Sequence, residues 1–186
     1  MGNHSKLDIQ LLARSLEGDA DAFGDLYERY LDPIYHYIIY RVGGRSEAQD
    51  LTEAVFLRAW QALKKNPPRE IPFRLWLYRI ANNIVIDFYR ARKQNVTLES
   101  VGELQMQEEG PEALLMRQER SEALVKALQT LKEEHQQVIV CRFVVGMSHS
   151  ETAVIMQKNE VALRALQYRA IAALKKKLLV KGDFHV

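Results

Sequence analysis

Between Pro72 and Lys93, aromatic rings and cations are interleaved: Phe73, Trp76, Tyr78, Phe88 and Tyr89 alternate with Arg74, Arg79, Arg90, Arg92 and Lys93. Flat rings can stack on unpaired bases while cations follow the phosphates, so the mixture suits single-stranded nucleic acid. Rings at helical spacing also suit a protein core, and Trp76 and Phe88 fit a core better than a base platform. A second cationic stretch, Lys158 to Lys181, holds seven Lys and Arg against Glu160 alone. It reads either as a footprint for phosphates or as a solvated helix end, where lysines are favoured. Nothing suggests bond-making chemistry. His4, His36, His135, His149 and His185 are scattered without ligand spacing, Cys141 is the single cysteine, and no glycine-rich phosphate loop is present. No metal, no cofactor and no enzymatic activity are expected.

The elements that must position these residues are helical. Glycine (9) and proline (5) are sparse, so long stretches are free of helix breakers. Leu7, Leu11, Leu12 and Leu16 mark a first helix ended by Gly18. Asp19 or Asp21 can cap a second, in which Asp32-Pro33 suits a restart or kink. Ser46-Glu-Ala-Gln49 has the form of a capping box for a third helix, stopped by Pro67-Pro68. A fourth runs from about Pro72 to Lys93, with Leu75, Leu77, Ile80, Ala81, Ile84 and Phe88 on its apolar side. Residues 94–111 break the pattern and read as a linker. Charge sharpens the division: residues 95–122 carry 2 basic and 7 acidic side chains, residues 123–186 carry 10 basic and 5 acidic.

After the linker a helix is expected near Glu112, then one through Val138 and Val144 ended at Gly146. Ser148-His-Ser-Glu151 is another capping box, opening a short helix. Gln157-Lys158-Asn159 is a tight turn, and a long helix follows from Glu160 to about Leu179. Short helix, turn and longer basic helix form a helix-turn-helix pattern, which also occurs in ordinary helical proteins. Its stripe Leu163, Leu166, Ala170 and Leu174 can pack inward, leaving Arg164, Tyr168, Arg169 and Lys175 more outward. Such a helix enters the major groove by its N-terminal half. No apolar run reaches the roughly 18 residues of a membrane span, and Met1 to Lys6 is polar. A cytoplasmic location without membrane insertion is expected.

Several strings are more specific. Asp21-Ala-Phe23 followed by Leu26-Tyr-Glu-Arg-Tyr30, Asp50-Leu-Thr-Glu-Ala-Val-Phe-Leu-Arg-Ala-Trp60 and Phe73-Arg-Leu-Trp76 through Asn82-Asn83 to Asp87 resemble the second conserved region of sigma-70 proteins. Residues 124–179, with Gly146-Met-Ser148, Glu151-Thr-Ala153 and Leu166-Gln-Tyr-Arg169-Ala170, resemble the fourth region. The third region is absent, as in the extracytoplasmic-function (ECF) group.

The resemblance implies an all-α chain of two small helical domains: region 2 over residues 1–93, an acidic linker over 94–111, and region 4 over 112–186. It implies a sigma factor that binds core RNA polymerase and directs promoter-specific initiation, with an anti-sigma factor as a further expected partner. Asp50, Glu53, Phe56 and Arg58 would dock on the polymerase. The loop between Pro67 and Pro72 and the helix after it would capture the melted minus-10 element, with Arg79, Asn82, Asn83, Arg90, Arg92 and Lys93 as candidates. Lys158, Asn159, Arg164, Tyr168, Arg169 and Lys175 would meet the minus-35 duplex. The chain departs from the family where Glu53-Ala54 replaces a frequent Gln-Glu pair, and at Leu166 and Gln167 in the last helix. Two other readings stay open at this point: a regulator using only the helix-turn-helix, and an interaction module that retains the fold without reading DNA.

Overall fold

A computed structural model describes residues 2–65, 67–68, 71–95 and 123–180. The expected linker, apart from the residues at positions 94 and 95, lies outside these, as do the start of the helix expected near Glu112, positions 69 and 70 of the Pro67–Pro72 loop, and Lys181. Among the described residues every regular element is helical. They are α1 (Gly2–Leu16), α2 (Ala20–Val42), α3 (Arg45–Leu63), α4 (Phe73–Asn95), α5 (described over 123–129), α6 (Glu133–Ile139), α7 (His149–Met156) and α8 (Glu160–Val180). A π-helical turn, Val140–Val144, continues α6.

Local chemistry explains most boundaries. Gly18 closes α1 at φ 99°, a left-handed conformation that costs glycine little. Asp19 caps α2 by accepting from the Ala22 N–H at 3.0 Å. Arg14 pairs with the same carboxylate at 2.7 Å. Together they hold the Asp19 pKa below its ordinary value, the backbone bond being the larger cause. Two expectations are corrected. Helix α2 does not restart at Pro33 but passes through it. The lost backbone bond there is outweighed by one continuous stripe of Leu26, Tyr30, Ile34, Tyr37 and Ile38, all buried. Nor does Ser46 cap α3. Gly44 is the N-cap with no side-chain cap bond, and Glu47 folds back over it into the space a Cβ would need.

The second capping box does form. Ser148 Oγ accepts from the Glu151 N–H at 3.1 Å, and Glu151 Oε2 accepts from the Ser148 N–H at 2.7 Å. Gln157 turns the chain at φ 52°. Asn159 Oδ1 then caps α8 from the Ala162 N–H at 2.8 Å.

Helices α2, α3 and α4 bury a core of Leu26, Ile34, Tyr37, Ile38, Val55, Phe56, Leu77 and Ala81. That core is continuous with Val138, Cys141, Met147, Ile155 and Leu163 of the second half. The two halves therefore meet face to face, with α2 against the π turn and α4 against α7.

Candidate nucleic-acid interface

Helix α3 presents one solvent-facing stripe: Asp50, Glu53, Leu57 and Gln61 are all exposed, with Arg58 beside them. Phe56 faces the other way, 4% exposed, its ring edge-on to Tyr27 at 4.7 Å. It can position the helix but cannot reach a partner across that stripe. Leu57, an apolar side chain 59% exposed, belongs to the stripe and was not singled out in the sequence. Its spacing of seven residues from Asp50 could have found it.

Helix α4 carries the expected minus-10 candidates, but in two environments. Asn83, Arg90 and Arg92 are exposed and Arg79 is half-buried; Lys93 lies in the helix beyond the described side chains. Arg90 and Arg58 share Asp87, at 3.5 and 3.9 Å. These are solvated pairs of small energetic weight. Asn82 is instead 5% exposed. Its Oδ1 accepts from Arg41 Nη1 at 2.9 Å and from Gln137 Nε2, in the second half, at 2.7 Å. The rings of the segment are structural: Phe73 and Tyr78 are buried, and Trp76, Phe88 and Tyr89 pack against the core.

Burial drives the Tyr37 and Tyr78 phenols well above the ordinary tyrosine range. It pushes the Cys141 thiol up to about 12, against the opposing pull of Arg41 and Arg74. None of these groups is ionised at neutral pH, so they contribute packing and hydrogen bonds rather than charge.

Helix α8 has the two-sided character expected. Leu163, Leu166 and Ala170 are buried, and Leu174 packs at the core's edge. Arg164, Arg169 and Lys175 are exposed. Tyr168 and Val161 project furthest, at 78% and 80% exposure. Arg164 is held loosely by Glu160 at 3.4 Å. Lys158 pairs with Glu134 at 2.9 Å, and Asn159 spends its side chain on the cap. These two frame the helix start and leave the projecting face to Val161, Arg164 and Tyr168. Val161 was missed because an isolated valine at a helix start carries no charge or motif.

Among the described residues no group of three or more His, Cys, Asp or Glu could hold a metal ion. None of the described helices is long and apolar enough to cross a membrane.

Comparison with known proteins identifies the two halves. The sigma-70 region 2 family matches residues 26–95, and sigma-70 region 4 matches residues 127–176. The chain is 38% identical over 172 residues to the ECF RNA polymerase sigma factor BldN of Streptomyces coelicolor, covering 91% of this chain and 65% of that protein. It therefore spans just under two thirds of that relative's length. It is 31% identical to the RNA polymerase sigma-H factor of Pseudomonas aeruginosa, over 92% of this chain and 93% of that one. The solved structure of CnrH in complex with the cytosolic domain of CnrY is similar over 96% of this chain and 99% of its own, at 28% identity and a TM-score of 0.68. The sigma factor RpoE from Bartonella quintana, solved with the anti-sigma factor NepR, shares the fold at 20% identity and a TM-score of 0.66, over 85% of this chain and 97% of its own. With both conserved regions matched in order, and a relative above 30% identity matched along nearly all of its length, the chain belongs to the sigma-70 family, within its extracytoplasmic-function group.

Proposed function

We propose that the protein is a sigma subunit that binds core RNA polymerase and directs it to promoters, reading a minus-35 duplex and a melted minus-10 element. It performs no bond chemistry of its own, uses no cofactor and works in the cytoplasm, where its DNA is. Residues 1–93 form the polymerase-binding and melting unit, 94–111 the acidic linker, and 112–186 the duplex-reading unit. The observation that carries this reading is the one-sided build of α8. Its buried side is apolar, while Val161, Arg164 and Tyr168 project from the first turns, where a recognition helix meets base edges. Arg164 can pair with a guanine edge and Val161 can lie against a thymine methyl. Arg169 and Lys175, further along, serve phosphates.

The stripe Asp50, Glu53, Leu57 and Arg58 is the polymerase-docking surface, with Phe56 behind it fixing the helix. Arg79, Asn82, Asn83, Arg90, Arg92 and Lys93 line the path of the opened strand. CnrH was solved with the cytosolic domain of CnrY; a protein partner of that kind, an anti-sigma factor, is proposed for this chain as well.

Run-off transcription tests the reading. Core polymerase with this chain should initiate at a promoter that core alone ignores, and the chain should co-elute with core. Failure to co-elute, together with no gain on any candidate promoter, overturns it.

A further inference from the structure

Helix α1 carries two apolar faces, and the fold uses one of them. Successive residues turn by about 100° around a helix, so Asp8, Leu11 and Ser15 share one side. All three are buried, where α1 packs on α2 and α4. Asp8 fixes the rotation of the helix. Its Oδ2 accepts from Tyr30 Oη, and its Oδ1 meets Arg29 Nε at 3.0 Å. A buried carboxylate is tolerated only with partners of this kind, so α1 cannot roll about its axis without stranding the charge. The second face is therefore held outward. Ile9, Leu12, Ala13 and Leu16 fall within an arc of about 100°, the width of stripe that a helix ordinarily buries. Here Ile9 is 64% exposed and Leu16 46%, Ala13 is exposed and Leu12 half-buried.

We propose that this face is a self-association surface, on which α1 of one chain pairs antiparallel with α1 of a second copy. The charges along its edge select that occupant. Lys6 and Glu17 are exposed, and neither has an ion-pair partner among the described residues. They stand eleven residues apart, about three turns, and so lie on one line beside the stripe. A two-fold axis through the centre of the stripe sets Ile9 against the second copy's Leu16, and Leu12 against its Ala13, large side chain facing small. The same axis brings Lys6 to the second copy's Glu17, twice over. Parallel pairing would instead set lysine beside lysine and glutamate beside glutamate. One patch that complements itself is what an isologous contact requires. A uniformly acidic or uniformly basic partner would be drawn to one end of this edge and repelled at the other.

The stripe is only about two turns long, well short of the area that a permanent complex buries. The dimer is accordingly weak and reversible, and it fills as the protein concentration rises. It uses α1, whereas the proposed polymerase-docking stripe is on α3, so the pairing does not depend on the sigma reading.

Sedimentation equilibrium of the full chain tests the pairing. The average mass should climb with concentration from that of a monomer toward that of a dimer. Ile9→Glu, which sets a charge inside the contact, should weaken association at least tenfold. Lys6→Glu and Glu17→Lys should each weaken it measurably, because like charges then meet at both ends. The double variant, Lys6→Glu with Glu17→Lys, should regain the wild-type association. The two single variants, mixed, should associate with each other better than either does alone. All three positions are exposed, and circular dichroism verifies that each variant stays folded; should Ile9→Glu not fold, Leu16→Glu replaces it. A mass that stays monomeric up to about 1 mM overturns the proposal. So does association that Ile9→Glu leaves unchanged, or a charge reversal that fails to restore it. Neither polymerase nor DNA enters this measurement, so a failure of the sigma reading shows separately, in the run-off assay.

Discussion

Helices α4 and α8 are nearly the same length, 23 and 21 residues, and both carry cations proposed to meet DNA. They differ in how much of their circumference is apolar. In α4 Phe73, Leu75, Leu77, Tyr78, Ile80, Ala81, Ile84 and Val85 are all buried, wrapping more than one face, so the helix is enclosed on several sides. In α8 only Leu163, Leu166 and Ala170 are buried along the first three turns, a narrow stripe that leaves most of the surface to solvent. Stripe width, not charge, decides which helix is covered. A polar residue on α4 is drawn into structural duty, as Asn82 is, whereas one on α8 stays available to a ligand.

That contrast can be broken most directly in the core. Leu77→Ala, at a fully buried position, should cost about 2–5 kcal/mol, read from urea unfolding. Val161→Ala should leave the unfolding midpoint within about 0.5 kcal/mol of wild type. Similar losses at both sites would mean that α8 is as enclosed as α4. Asn82→Ala comes next. It strands Arg41 and Gln137, an expected cost of about 1–3 kcal/mol, whereas Asn83→Ala, one residue on and exposed, should be near neutral. Equal effects at the two asparagines would remove Asn82 from the seam between the two halves.

Helix periodicity and punctuation made most of the fold legible. The α8 stripe, the Ser148 capping box, the Asn159 cap and the stops at Gly18 and Gly146 all follow from residue types within a few positions of one another. Pro33 and Ser46 were misleading because long-range burial of the α2 stripe and the Gly43-Gly44 turn overrode local signals. The seam was not legible at all. Arg41, Gln129, Gln136 and Gln137, which hydrogen-bond there, belong to no motif, and their meeting depends on how two distant segments dock. For the same reason Asn82 read as a DNA contact while its burial stayed hidden. Exposed apolar residues are hard to read for another reason: sequence patterns treat apolar side chains as core, so Val161 carried no signal and Leu57 only its spacing from Asp50.

The free face of α8 gives the third expectation. Arg164→Ala should weaken binding of the polymerase complex to its promoter by about 1–3 kcal/mol and relax preference at one minus-35 base pair. Folding stability should hold within about 0.5 kcal/mol, because the side chain is exposed and its pair with Glu160 is solvated. Competition binding over single-base promoter variants reads this out. Unchanged preference removes Arg164 from the contacts, and a large stability loss would show that α8 has no free face.

The smallest effect separates the two halves by pH. Asp19 caps α2 with a titratable carboxylate, whereas Asn159 caps α8 with an amide that does not titrate. The Asp19 pKa lies below its ordinary value near 3.8 because the charged form accepts from Ala22 and pairs with Arg14. A carboxylate depressed on folding adds stability that is fully present above the unfolded value. That stability is lost as pH falls through the lower, folded value. Asp19→Asn keeps an acceptor and removes the charge. Wild type should therefore be the more stable at pH 7; its lead should begin to shrink as pH falls below about 3.8 and be gone once pH is below the lower, folded value. Residue-level hydrogen exchange should place the change at the start of α2 and leave α8 untouched. A lead that persists undiminished at pH 2 would mean that the carboxylate's charge contributes nothing there and that the amide differs only in its fit to the cap.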